Sequence, residues 1–136
     1  GDLLAIMGPG SKKHTDLLAP WHLLIADLTA LPALAATLEA LPYDAKGDAV
    51  IQIPTAEDKQ TINVPKDLQL HWLINPEYNT PDLLETVQTL SWGNLSPAIF
   101  LAAEASQVKN IKAWLRNQPG FNAEKLYASA YWNAKQ

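Results

Sequence analysis

The chain has 136 residues, enough for about one domain with a real core. Hydrophobic residues make up 48% of it and charged residues 18%, the balance of an ordinary globular protein, and a formal charge of −4 argues against general nucleic-acid binding, which needs concentrated Lys and Arg. Cysteine is absent, which excludes disulfides and thiolate metal sites and suits a reducing cytoplasm.

In chain order, Leu3 to Met7 is a short apolar run stopped by Gly8-Pro9-Gly10-Ser11. Asp2 stands where a signal peptide would carry basic residues. A polar connector reaches Pro20, and a repeating rhythm follows. Strands are expected at 22–26, 48–53, 69–74, 98–102 and 126–132, and helices at 30–41, 81–90 and 104–118. The helices rest on spacing: Leu31, Leu34, Leu38 and Leu41 share one face, as do Leu83, Leu84, Val87 and Leu90, and Val108, Ile111 and Leu115. Pro32 falls in a first helical turn, where its missing N–H does no harm, and Pro119-Gly120 closes the last helix. Residues 55–67 are irregular, with Ile62 and Val64 as anchors. No apolar run is long enough to span a membrane.

Strands alternating with helices predict an α/β fold: a doubly wound, mainly parallel five-stranded sheet with helices on both faces. If its order is 3-2-1-4-5, the first and fourth strands meet where the winding reverses, and ligands bind outside the strand ends there. Those ends are Ala26-Asp27 and Ala102-Ala103-Glu104, each followed at once by a helix start. The first N–H groups of a helix lack partners and attract anions, so phosphate is the expected visitor. Thr29 stands there either as a hydroxyl donor to a pyrophosphate, with the amides of Ala30 and Leu31, or as a plain helix cap. Asp27 and Glu104 are read either as partners of a ribose or carboxamide or as carboxylates satisfied by helix-start amides. No metal site is expected, since no His or third carboxylate has a supporting spacing. His22 and His71 lie in strand patterns and read as packed histidines, and Trp21, Trp72, Trp92 and Trp114 as packing residues. The G-x-G-x-x-G dinucleotide fingerprint is absent.

Three ordered segments carry a family resemblance. The run 23–34, LLIADLTALPAL, resembles the LLxGDETALPAI signature of siderophore-interacting proteins, the flavin-dependent ferric-siderophore reductases. Residues 102–108, AAEASQV, resemble that family's AGEASxV element, and Lys125 to Trp132 resembles its VYVSGYW close. The resemblance implies a ferredoxin–NADP reductase-like nucleotide domain at 16–136, preceded at 1–15 by the terminal strand and Gly-Pro-Gly turn of a flavin-binding barrel. It implies FAD, held mainly outside this sequence, and NADPH or NADH as cofactors, with a ferric siderophore as substrate. It further implies that Asp27, Thr29, Ala30, Ala103 and Glu104 position the nucleotide, that Tyr131 and Trp132 lie against the nicotinamide or flavin ring, and that Gly8, Pro9 and Gly10 form the domain seam.

The chain departs from the family pattern at Ala26, Ala103 and Ala130, where the family has Gly, at Leu28 for Glu, and at Asn133 for Arg. Each Ala adds a methyl where a backbone would approach a cofactor, and tolerates positive φ poorly. Hence a second expectation: a non-catalytic α/β module that stabilises a flavoprotein or docks an electron carrier such as ferredoxin. The end of the second strand, Gln52 to Asp58, has acids and no Arg, which favours NADH on electrostatics, while the resemblance admits NADPH.

Overall fold

A computed structural model describes residues 18–76 and 82–133. Five strands, β1 (Trp21–Asp27), β2 (Lys46–Ile53), β3 (Asp67–Ile74), β4 (Pro97–Glu104) and β5 (Leu126–Trp132), form one sheet in the order β3-β2-β1-β4-β5. Every pairing is parallel. Helices α1 (Leu31–Ala40), α2 (Asp82–Gln88) and α3 (Ala105–Leu115) make three of the four crossovers, and β2 reaches β3 through a segment that holds only a 3₁₀ turn, Ala56–Asp58. The expected order is therefore the observed one, and β1 and β4 are neighbours with Ala26 opposite Ala102.

The central strands read as continuous apolar runs because both of their faces are covered. Leu24, Ala26, Ala49, Ile51, Phe100 and Ala102 pack under α1 through Leu31, Leu34 and Leu38. The alternate residues Leu23, Ile25, Val50, Ile99, Leu101 and Ala103 pack against Leu83 and Val87 of α2 and Val108, Ile111 and Leu115 of α3. A one-residue register slip would exchange these two sets, so the two cores fix the register together. Trp92 and Trp114 meet edge to face at 6.2 Å in the second core. Ile62 and Val64 anchor the irregular segment to the first core, as expected.

Element ends moved for identifiable reasons. β2 begins at Lys46, so Gly47 lies inside the strand. Gly47 has φ +155°, and a Cβ there would stand 1.8 Å from the His22 carbonyl oxygen. Its missing side chain is what lets β2 approach β1 so closely. A 3₁₀ turn, Leu28–Ala30, precedes α1, and Pro32 sits in the first turn of that helix. His71, read as a packed histidine, places Nε2 2.8 Å from Asp48 Oδ1, and His22 is buried within β1. The 1–15 segment, with Gly8, Pro9 and Gly10, lies outside the described residues. No helix among the described residues is long and apolar enough to cross a membrane.

Candidate functional site

The site grows from the ends of three strands. β1 runs out at Asp27, whose side chain then accepts from four donors. Oδ1 takes the Thr29 N–H at 3.0 Å and the Thr29 hydroxyl. Oδ2 takes the Glu104 N–H at 3.1 Å and the Trp132 indole Nε1–H at 2.8 Å. An ionised carboxylate offers about four acceptor positions, so this one is filled. It ties the tips of β1, β4 and β5 into one knot at the switch point. A carboxylate so occupied has no lone pair left for general base work or for a metal.

Glu104 behaves in the same way one strand over. It is buried, caps α3, and its Oε1 accepts the N–H groups of Ser106 at 3.0 Å and Gln107 at 3.2 Å as well as the Ser106 hydroxyl. Of the two readings open for Asp27 and Glu104, these bonds satisfy the one with helix-start amides. The expectation of bare amides is corrected at Thr29, Ser106 and Gln107: two carboxylates already occupy the positive ends of the turn and of α3. Thr29 is not the cap; Asp27 caps the turn, and Thr29 donates to it.

A cleft of ≈ 180 Å³ opens beside the knot. Asp27 lines it from the end of β1 with Leu28 and Thr29 of the following turn, Gln52 and Ile53 from the end of β2 with Pro54 just beyond, Asn75 and Pro76 from just past β3, and Trp132 from β5. Most of the wall is therefore apolar, with a few convergent polar groups, the usual composition of a small-molecule site. Its size suits one ring or one sugar rather than a whole dinucleotide. No Lys, Arg or His lines it. Among the described residues no group of three or more His, Asp or Glu could hold a metal ion.

Sequence reading brought Asp27, Thr29 and Trp132 to this cleft and Glu104 to its edge. Ala30 and Ala103 are fully buried. Trp132 reaches the cleft because the β4–β5 register slips between Ala103 and Glu104: Ala103 pairs with Ala130, but Glu104 pairs with Trp132. Tyr131 is the extra residue of that bulge and lies 42% exposed, outside the cleft wall. Partial burial, then the nearby Tyr127, raise its phenol above the ordinary value, so it remains protonated at neutral pH.

Gln107 and Asn75 escaped notice, and Gln52 had been seen only as part of a charge pattern. Gln52 lies opposite Asp27 in the β1–β2 register, and its Oε1 accepts from Gln107 Nε2 at 2.9 Å. Both glutamines are about 95% buried. The available signal was a polar residue at a buried strand end beside the switch point. Two of the three alanines, Ala26 and Ala103, are also accounted for. No non-glycine residue among those described has positive φ, and the Ala26 and Ala103 methyls enter the two opposite cores. Their added methyls therefore fill cores and leave the cleft clear.

Known proteins share sequence and fold with this chain. The siderophore-interacting protein profile matches residues 19–135, nearly all of the chain. The chain belongs to the siderophore-interacting protein family. The ferric vibriobactin reductase ViuB of Vibrio cholerae is 33% identical over 135 residues, covering 97% of this chain and 50% of that protein. Among solved structures, the siderophore-interacting protein SipS from Aeromonas hydrophila matches with a TM-score of 0.79 at 27% identity, over 87% of this chain and 48% of SipS. A siderophore utilization protein from T. fusca matches at 0.78 and 26% identity, over 87% of this chain and 46% of that one. The chain thus spans about half the length of the curated relatives it matches.

Proposed function

We propose that this chain is the NAD(P)H-binding part of a flavin-dependent ferric-siderophore reductase. One observation carries the reading: the three segments that resemble the family signature end at one place, joined by the Asp27 carboxylate, beside a cleft at the switch point. A nicotinamide nucleotide fits the donor set in part. The apolar wall with the Trp132 indole takes a ring, and the amides of Gln52 and Asn75 take neutral hydroxyl or amide groups. A pyrophosphate fits less well at Thr29, Ser106 and Gln107, whose N–H groups are already paired with carboxylates. The small volume agrees with a site completed across a domain boundary, where such sites often form.

In this scheme Asp27 positions, and nothing in the chain needs to transfer a proton. Asp27 holds the Trp132 ring at the cleft wall and keeps the β1 and β4 tips together, so the bound ring meets a fixed surface. A flavin, which the family resemblance puts outside these residues, would supply the step from two-electron to one-electron chemistry that ferric reduction needs. Ferrous iron binds hard-oxygen chelators weakly, so reduction frees it from a siderophore.

The test uses a protein that unites this chain with a flavin-binding domain. Anaerobic mixing with NADH or NADPH is expected to bleach the flavin, and a ferric siderophore added next to restore its colour with one Fe(II) trapped per electron. Saturable nucleotide binding without bleaching would instead make the chain a docking module.

A further inference from the structure

We propose that the outer edge of β3 pairs with the same edge of a second copy of this chain, antiparallel, about a two-fold axis at Trp72. β3 closes the sheet on one side and has β2 as its neighbour. Just past it, the Asn75 N–H donates to the Ile53 carbonyl at 2.8 Å, toward β2. Main-chain groups alternate in direction along a strand, so residues 69, 71 and 73 turn toward β2 as well. Leu70, Trp72 and Ile74 therefore turn their N–H and C=O groups outward. Natural edges are guarded by charge, by proline or by a bulge. From Leu68 to Ile74 there is no Lys, Arg, Asp, Glu or Pro, and the pairing with β2 runs without a shift. The one group there that can take up charge, His71, already faces the Asp48 carboxylate at 2.8 Å. The opposite edge is different: β5 carries its bulge against Ala103 and Glu104.

The outward residues select the occupant. Leu70, Trp72 and Ile74, apolar then aromatic then apolar, read alike in both directions. Laid antiparallel on itself, the strand sets Trp72 against Trp72 of the second copy, and Leu70 against its Ile74 twice over. Three such couples exchange roughly six main-chain hydrogen bonds, and aromatic and aliphatic cross-strand pairs add to them. Leu70 and Trp72 are only partly buried against the first core, and Ile74 is 46% exposed, so each has surface left to cover. A charged peptide would find no opposite charge along this edge, whereas a second copy brings the same uncharged row. A couple centred on His71 instead would face two imidazoles at the closer spacing and call on the Leu68 N–H, which already donates to the Pro65 carbonyl. One strand couple covers less than the roughly 1,200 Å² of a stable specific interface, so the dimer is weak and grows with concentration. The contact is the same patch on both copies, so it closes at two. It also brings Gln69 of the second copy opposite Asn75, which lines the cleft, so the second copy borders the site.

Sedimentation of the chain from micromolar to millimolar concentration tests this, and the mass is expected to rise from monomer to dimer and stop there. Ile74→Pro removes an N–H that points away from β2 and leaves the Asn75 bond to Ile53 in place. It is expected to hold the chain monomeric at every concentration while the dilute protein keeps its melting temperature. The chain has no cysteine of its own, so single cysteines report the register. Leu70→Cys mixed with Ile74→Cys is expected to form a disulfide at least about tenfold faster than either variant alone, because the mixed pair stands about 5.5 Å apart between Cα atoms and like pairs do not. A chain that stays monomeric at millimolar concentration would overturn the proposal. So would a mass that climbs past the dimer, a dimer untouched by Ile74→Pro, or equal cross-linking in all three samples.

Discussion

Asp27→Ala is expected to cost about 3 kcal/mol of stability or more, because hydrogen bonds to a charged group contribute roughly 1.5–3 kcal/mol each and here four donors lose one acceptor together. Two of those donors, the Glu104 N–H and the Trp132 indole, come from other strands, so the loss falls on the sheet's C-terminal edge as a unit. The contributions will not add simply, since the donors share one carboxylate. For a domain of this size the midpoint should fall by roughly 10 °C, at about 4 °C per kcal/mol. Asp27→Asn should fare little better despite its shape, because its NH₂ would face two donors. Thermal unfolding of both variants checks this. A fall below about 1 kcal/mol would mean that packing alone holds the strand tips, and that the knot is incidental.

Gly47→Ala is expected to be worse, with a loss above about 4 kcal/mol, recovered as insoluble or unfolded chain. The added methyl would lie 1.8 Å from a main-chain oxygen of the central strand, and backbone cannot rotate away as a side chain can. Relief requires β1 and β2 to part, which breaks the ladder from His22–Gly47 onward. Gly93→Ala is the matched control: Gly93 has φ +62° but nothing within 4 Å of the new methyl, so only the backbone preference, about 1 kcal/mol, is lost. Soluble expression and denaturant midpoints of the pair separate close approach from conformational preference. A stable Gly47→Ala protein would contradict the strand start at Lys46.

What could be read in advance, and what could not, divides along physical lines. The order 3-2-1-4-5 and the meeting of residues 26–27 with 102–104 followed only on the condition of a doubly wound sheet, which the structure bears out. Hydrophobic period and turn residues are local, so five strands and three helices were directly legible. Features that depend on pairing across distance were not. The slip that gives Trp132 rather than Tyr131 to the cleft exists only once β5 is laid against β4. The Gln52–Gln107 bond joins residues 55 positions apart, and neither glutamine is unusual in its own window. Thr29 was a sound cap on propensity, yet Asp27, two residues earlier, offers a stronger acceptor and takes the turn. The alanines at signature glycines looked harmful because glycine often implies positive φ, but their backbones are ordinary and Ala26 and Ala103 only fill core.

The most direct test of the account follows the Trp132 indole N–H in a nitrogen–proton spectrum of the chain, assigned through Trp132→Phe, while NADH is added. That N–H points at Asp27 and its ring forms the cleft wall, so a saturable shift of Trp132 and of the Gln52 side-chain amide is expected, with Trp92 and Trp114 in the far core unmoved. Saturable shifts that spare Trp132 and Gln52, or no saturable shift at millimolar nucleotide, would contradict a nucleotide site at the joined tips of β1, β4 and β5.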